Sequence, residues 1–580
     1  MNKQKSEGRR QKSEEKQLWT RGKRIMDDLM FVPRPSSSGV SSGIVQVSVV
    51  CFLLTVFCFL TGCRNGGDDY YRVQIAPEKF RQVETLELRP AEDQKADRSD
   101  VNEPAPAALE LTLEQCRALT LENNLDLKVQ LINPAIAAEL VNQQEAQFES
   151  AFSASVSHTR TDTPVASTLD ISGSNVNYTY TDLGVSVPLR TGGTVSFDVT
   201  DNRTKTDSVY SVFNPSYGSD FAASISQPLL RNAGRRANTY AIRIAEYDRQ
   251  ITDARTKLEL IRIIAAVDRV YWRLYTARRE LDVRRQQYDL AKALFEQAQR
   301  FVSAGEMAQI EVIRAEAGVA QQLEAIILAE NNVRDREREL KQTLNKAGLG
   351  METATVLIPA TEPDPVRYEL EKQRLVEIAV EQRMEMLELE LQIAQDFDTL
   401  EYMQNQTLPL VTMDYTYNVN GLGSTRDNAY DLLFDKRFED HRLGLQLQVP
   451  LGNESAKSRL RQAFYQRRQR LASRDSRGAM IEYEVLNAID QLEANWQRIL
   501  AGRQSAILAG RLFEAEKRQF ELGLVTSTDV LEAQTNFADA QSAEILALAE
   551  YQIALVDLAY ATGTLLGAAK VQWEPVISQE

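Results

Sequence analysis

Asp529 and Glu532 are the side chains of this 580-residue chain whose spacing most suggests a chemical task. They stand three apart in Gly523-Leu524-Val525-Thr526-Ser527-Thr528-Asp529-Val530-Leu531-Glu532, so a helix begun there carries both carboxylates on one face. Such a face attracts cations and repels anions. Thr526 followed three residues on by Asp529 is equally a capping box, and acids suit any first helical turn. Glu311 holds the corresponding position after Gly305. Nothing else in the chain is equipped for catalysis. The two histidines, His158 and His441, have no cysteine or paired carboxylate motif nearby, which argues against a metal site. Cys116 is the one cysteine beyond the first 63 residues and reads as a packing residue. No nucleophile motif, phosphate loop or catalytic dyad is found, so the chain reads as a protein without enzymatic activity or cofactor. A net charge of −15 argues against nucleic acid as a partner.

The elements that hold these acids occur twice. Leu294, Phe295, Glu296, Arg300 and Gly305 recur as Leu512, Phe513, Glu514, Arg518 and Gly523 at one offset of 218. The same offset carries the heptad Leu274, Leu281, Tyr288, Phe295, Val302 onto Leu492, Ile499, Ala506, Phe513, Phe520, the period of a coiled-coil seam. No proline interrupts 229–358 or 451–574. Helices are expected over Ala237–Ser303 and Ser455–Leu522, each a rod of roughly 100 Å at about 1.5 Å per residue. Shorter helices are expected over Thr112–Gln147, Ala308–Lys346, Arg374–Gln406 and Thr526–Thr564, so that two short rods match one long one. Each long helix is then expected to pair with the helix after its glycine tip below the midpoint, and above it with the helix preceding the strands.

Between the first helix and the long helix of each copy the period changes to two. Val411, Met413, Tyr415, Tyr417 and Val419 alternate with Thr412, Asp414, Thr416 and Asn418, and Leu443 to Leu451 repeats the arrangement. Segments of about nine residues with this alternation suit transmembrane β-barrel strands. A soluble sheet with one buried face has the same period. In the first copy Phe152–Thr161 and Asp220–Pro228 correspond, and an extra hairpin, Val176–Leu189 and Thr194–Thr204, turns at Thr191-Gly192-Gly193.

Residues 1–63 carry ten Lys or Arg against five Asp or Glu, which leaves −20 on the remainder. The apolar run Ile44–Leu60 is short for a membrane span and ends in Leu60-Thr61-Gly62-Cys63, which resembles a bacterial lipobox. That resemblance implies lipidation of Cys63 and an acyl anchor worth roughly 0.8 kcal/mol per buried CH₂. An ordinary signal peptide or a short anchor is the alternative. A start at Met26 or Met30 would bring the leader to common length. Arg64 is not the aspartate that retains some lipoproteins in the inner membrane. The resulting division is a basic leader and signal peptide at 1–63, a tether at 64–110, a first repeat at 111–350, a linker at 351–370, a second repeat at 371–566 and a tail at 567–580.

The order of these parts, with LTLEQCRALTLENN at the opening, SQPLLRNAG at the strand exit and the two glycine tips, resembles the TolC-like outer-membrane efflux proteins over roughly 111–566. The resemblance implies an α+β membrane protein. Three chains would share a transmembrane β-barrel of four strands each, continuous with a long α-helical coiled-coil tunnel across the periplasm. It implies a passive exit duct for efflux or type I secretion, a homotrimer in outer-membrane lipids, served by a periplasmic adaptor protein and an inner-membrane transporter. Chemistry independently demands an oligomer, because four strands cannot close a barrel and open edges are not tolerated in lipid. With six strands per chain the trimer would hold eighteen. By the same resemblance Asp529 and Glu532 would form acidic rings at the closed end of the tunnel, with Glu311, Phe520 and Val525 beside them. Phe520 and Val525 stand where some relatives carry a tyrosine and an arginine latch, so that latch is absent or built differently. Gly305 and Gly523 would mark the adaptor-docking tips. Leu125 and Met384 stand where the family often has proline. The rival reading is a lipid-anchored periplasmic coiled-coil scaffold without a channel.

Overall fold

The two periodicities resolve into separate helices and strands in the computed structural model, which describes residues 108–164 and 174–572. The leader, Met26, Met30, Cys63, most of the expected tether and the end of the tail lie outside the described residues. The described residues open with β1 (Ala108–Leu111), followed by α1 (Leu113–Asn123), α2 (Leu125–Gln130) and α3 (Asn133–Glu145). Strands β2 (Ala151–Asp162), β3 (Asn175–Pro188), β4 (Thr194–Thr206) and β5 (Ser216–Pro228) come next. The turn α4 (Arg235–Asn238) leads into α5 (Tyr240–Ser303), then α6 (Gln309–Leu344) and β6 (Val356–Pro359). The second half runs α7 (Lys372–Gln382), α8 (Met384–Gln406), β7 (Leu410–Gly423), α9 (Arg426–Phe434), β8 (Glu439–Gln448), α10 (Glu454–Glu521), α11 (Ser527–Ala561) and α12 (Leu565–Ala568).

Long helices form because the apolar stripe of each is continuous and finds a partner along its length. In α10 all five seam residues, Leu492, Ile499, Ala506, Phe513 and Phe520, are buried. In α5 the seam starts at Leu274 and Leu281 and then moves to Ala291, Leu294 and Ala298, leaving Phe295 and Val302 half-buried. A straight helix drifts by about 20° per heptad against a strict seven-residue repeat, which accounts for that shift. Below its midpoint α5 packs on α6 and α10 on α11, while above it α5 meets α3 and α10 meets α8. This is the pairing expected from rod lengths.

The expected single helices 112–147 and 374–406 are each broken. Asn124 (ψ 127°) and Arg383 (ψ 131°) are extended residues between consecutive helical segments. Asn124 turns its side chain to accept the Leu127 N–H at 2.9 Å and to donate to the Thr343 carbonyl at 3.1 Å. Arg383, with a side chain only 3% exposed, donates to Glu385 at 2.6 Å and to Glu484. Side-chain hydrogen bonds thus replace the missing proline as the cause of the break.

Strands β1 and β6 fall inside the stretches expected to be tether and linker. They pair in parallel, Ala108 with Val356 through Leu111 with Pro359. The Tyr271 hydroxyl locks them to α5, donating to the Leu111 carbonyl at 3.1 Å and accepting from the Thr361 N–H at 2.8 Å. Cys116 and Leu344 complete this core. Burial, and then the nearby Asp268 charge, pushes the Cys116 thiol up to about 12, so it stays a neutral packing group. At the other end of the chain α12 carries helix two residues into the expected tail.

The remaining six strands form one antiparallel sheet in the order β2-β3-β4-β5-β7-β8. The extra hairpin therefore lies within the sheet, between β2 and β5, and the sheet of one chain has six strands where the resemblance implied four for the barrel wall. Its turn is seated at the helical end. Gly192 (φ +91°) approaches Asn232 and Asn238 so closely that a Cβ would lie 2.3 Å from the Asn232 carbonyl. The Gly234 N–H donates to the Thr191 carbonyl at 3.0 Å. Helix α9, unforeseen between β7 and β8, packs on β5 and β7 at the end of the sheet far from the long helices. Gly421 allows this approach, since a Cβ there would meet the Ala429 carbonyl at 2.2 Å.

Candidate functional site

Two glycine tips bring the candidate residues together. Gly305 (φ +81°) and Gly523 (φ +73°) adopt the left-handed conformation that ends a helix at low steric cost. At the first tip Glu306 N–H reaches Phe301 O at 2.9 Å and Gly305 N–H reaches Val302 O at 3.0 Å. At the second, Leu524 N–H reaches Gln519 O and Gly523 N–H reaches Phe520 O, both at 3.0 Å. Each is a Schellman motif, which satisfies the last carbonyls and turns the chain back on itself. Among the described residues nothing lies within 4 Å of a Cβ built on either glycine, so on the single chain the tips face open space.

Behind the tips sits a small apolar core of Leu294, Ala298, Ala315, Phe513, Phe520 and Val530. Phe520 is fully buried, its ring edge-on to Phe301 with centroids 6.2 Å apart, and Val525 packs at the border. Gly318 lets α6 and α11 close together, because a Cβ there would lie 2.6 Å from Leu531.

A polar tie crosses between the tips where sequence comparison found only missing latch residues. One carboxylate oxygen of Glu311 accepts the Ser527 N–H at 2.9 Å and the Ser527 hydroxyl at 2.6 Å. Arg314 donates to the other at 2.7 Å. Glu311 thereby caps α11 from α6, placing negative charge where free N–H groups and the helix dipole favour it. Burial pushes its carboxyl up, but the Ser527 hydrogen bonds and the Arg314 charge outweigh that and hold it below the ordinary glutamate value. Sequence position flagged Glu311, but its partner lies 216 residues away and no local pattern names it.

Asp529 works as a cap. Its Oδ2 accepts from Thr526 N–H at 2.8 Å and Thr526 Oγ1 at 2.7 Å, and those bonds hold its carboxyl below the usual aspartate value. Asp529 and Glu532 are both exposed on the single chain, and Glu532 engages no partner among the described residues. Four large apolar side chains near the tips are also exposed: Ile310, Ile313, Leu522 and Leu524.

At the opposite end the sheet is two-sided. Phe152, Val156, Leu183, Val185, Phe197, Val199, Ile225, Met413, Leu443, Leu445 and Leu447 share one face by register, and all are exposed. On the other face Ser226 donates to Asp414 at 2.6 Å, Asn420 to Asp440 at 2.6 Å and Ser196 to Asp198 at 3.0 Å. His158 and His441 are bonded to Thr179 and Tyr415, at 2.9 and 3.0 Å. Among the described residues no helix is long and apolar enough to cross a membrane.

Comparison with known proteins agrees with this architecture. The family model described as outer membrane efflux protein matches residues 194–346 and 375–564, more than half of the chain. The outer membrane protein TolC of Vibrio cholerae is 26% identical over 312 residues, covering 52% of this chain and 68% of that protein. Among solved structures, the CmeC outer membrane channel of Campylobacter jejuni superposes with a TM-score of 0.57 at 15% identity, over 78% of this chain and 86% of CmeC. The outer membrane protein VceC of Vibrio cholerae gives 0.57 at 14% identity, over 78% of this chain and 96% of VceC. The chain belongs to the TolC-like outer membrane efflux protein family.

Proposed function

We propose that this protein is the outer-membrane exit duct of a tripartite efflux or type I secretion system. Three copies join their sheets into a transmembrane barrel and their helices into a periplasmic tunnel, an α+β channel built on an internal tandem repeat. The observation that carries this is the sheet's division into an exposed apolar face and a hydrogen-bonded polar face. A solvated sheet would expose Leu443, Leu445 and Leu447 at the cost of their burial energy, roughly 1.5–3 kcal/mol each, whereas lipid accepts them. The scaffold reading offers them no cover.

The conduit is passive and draws energy from an inner-membrane transporter through a periplasmic adaptor. The adaptor docks at the tips around Gly305 and Gly523, where exposed apolar side chains offer it contact. Asp529 and Glu532 of three chains form two acidic rings at the tunnel's closed end, Asp529 capping and gating together. Glu311, Phe520 and Val525 hold that end in place. Cys63 carries the lipid that adds an anchor in the outer membrane. Liposomes containing the folded oligomer are expected to swell in an isotonic small sugar at a rate that rises with protein density. Swelling no faster than in protein-free liposomes, for both the wild-type and the Glu311→Ala protein, refutes the duct.

A further inference from the structure

Among the described residues the two edges of the six-stranded sheet are unpaired. All twelve residues of β2 are exposed, and β8 is exposed along nearly its whole length. Such edges template pairing, and lipid does not tolerate them open. We propose that β2 of one copy pairs with β8 of the next in one register, so that three copies close a single barrel of eighteen strands. This rests on the duct reading above, which leaves the number of strands in the wall open.

Direction permits the junction. β2 runs away from the helices and β8 runs back into them, so the six strands present antiparallel edges to each other. Faces and charges then select the register. A slip of one residue would turn the apolar side of one strand against the polar side of the next. Placing Phe152 opposite Leu447 aligns Val156 with Leu443 and sets Arg160 opposite Glu439. Arg160 has no partner within its own chain, among the described residues. A slip of two residues in either direction separates these charges and sets a histidine, His158 or His441, against an aliphatic neighbour.

Geometry closes with the same register. Following cross-strand partners from Ala151 leads through Ser186, Ser196, Ser224 and Thr416 to Arg442. The proposed junction carries Arg442 to Ser157 of the next copy, six residues up the strand for six strands crossed. A stagger of one residue per strand corresponds to a tilt of about 36°, within the usual range for barrels. Eighteen strands about 4.8 Å apart at that tilt make a wall of roughly 105 Å around. Beneath the sheet α3, α5, α8 and α10 lie side by side in that order. Twelve such helices about 9 Å apart make a ring of roughly 110 Å. Twelve strands at the same tilt would give about 70 Å. At that stagger the eighteen-stranded barrel has about the circumference of the tunnel, so it does not narrow the path of the transported molecule.

The test is disulfide trapping in the full-length membrane protein. Ser155→Cys combined with Gly444→Cys is expected to give covalent trimers on non-reducing gels, at yields several-fold above single-cysteine chains. Val156→Cys with Leu443→Cys repeats the test on the outer face. Ser155→Cys with Gln446→Cys, two residues out of register, should give only background. Ser155→Cys with Ser224→Cys should give no link within a chain, because β3 and β4 hold β2 and β5 roughly 14 Å apart. A β2–β5 link, or trimers trapped only out of register, would overturn the eighteen-stranded wall. In a protein that still passes solute those results leave the duct standing, whereas a folded protein that neither passes solute nor traps trimers refutes both.

Discussion

Replacing Arg383 by alanine is expected to lower the thermal stability of the helical region by about 2–4 kcal/mol, slightly under the cost of removing one partner from a fully buried ion pair. The discount reflects Glu484, whose side chain is 31% exposed, and Arg477, which stays 2.9 Å from Glu385. Arg383 sits in the break between α7 and α8 and joins Glu385 to Glu484 on α10. Without it two carboxylates face each other with one guanidinium between them. Burial raises the Glu385 carboxyl, and its bonds to Arg383 and Arg477 more than reverse that, leaving it below the ordinary glutamate value. A carboxyl lowered in the folded state contributes stability above its unfolded pKa and loses it as pH falls through the folded one. The wild-type advantage over Arg383→Ala should therefore be full at neutral pH and shrink below the ordinary glutamate range. Helix melting followed by circular dichroism at neutral pH and again below the ordinary glutamate range checks this. A loss under about 0.5 kcal/mol at neutral pH would mean that the break is held by packing, an ordinary surface-mutation effect.

The second large effect is expected at the tips. Glu311→Ala removes the acceptor of the Ser527 N–H and hydroxyl and leaves the first turn of α11 without its cap from α6. Hydrogen bonds to a charged group contribute about 1.5–3 kcal/mol, so local opening there should become roughly 10- to 100-fold more frequent. Amide exchange of Ser527 and its neighbours reads this directly. Glu311→Gln should keep part of the protection, since an amide oxygen still accepts. In the wild-type protein the same protection should hold at neutral pH and fall as the carboxyl protonates below the ordinary glutamate value. Arg314 belongs to the same cluster and lowers both Glu311 and Asp529 by its charge, so Arg314→Ala should move that loss toward neutral pH. Exchange that is indifferent to Glu311 would remove the tie from the account of how the tips stay together.

Much of this was legible because it is periodic. The long helices end within a few residues of expectation, since the glycines that stop them have no alternative local use. All six long strands were visible in alternation, and even the hairpin turn at Gly192 was named. What alternation cannot give is order in the sheet, and so the hairpin's place between β2 and β5 came only from the structure. The breaks at Asn124 and Arg383 were hidden for another reason. Neither residue breaks a helix by itself, and each acts through partners far along the chain, Thr343 and Glu484. Strands β1 and β6 have four residues each, too few to show a period, and exist only as a pair. The candidate acids were legible as helix starters, and Asp529 does cap α11. The Glu311–Ser527 tie needed both halves of the chain folded together before it could be seen.

As an exit duct this protein is expected to form a water-filled conduit through the outer membrane. Current recorded from the purified, folded oligomer in planar lipid bilayers tests it most directly, with the Glu311→Ala protein included so that a shut tip cannot mask the pore. Stepwise increases in conductance are predicted, larger for Glu311→Ala. A folded oligomer that inserts in both forms and passes no current would contradict it.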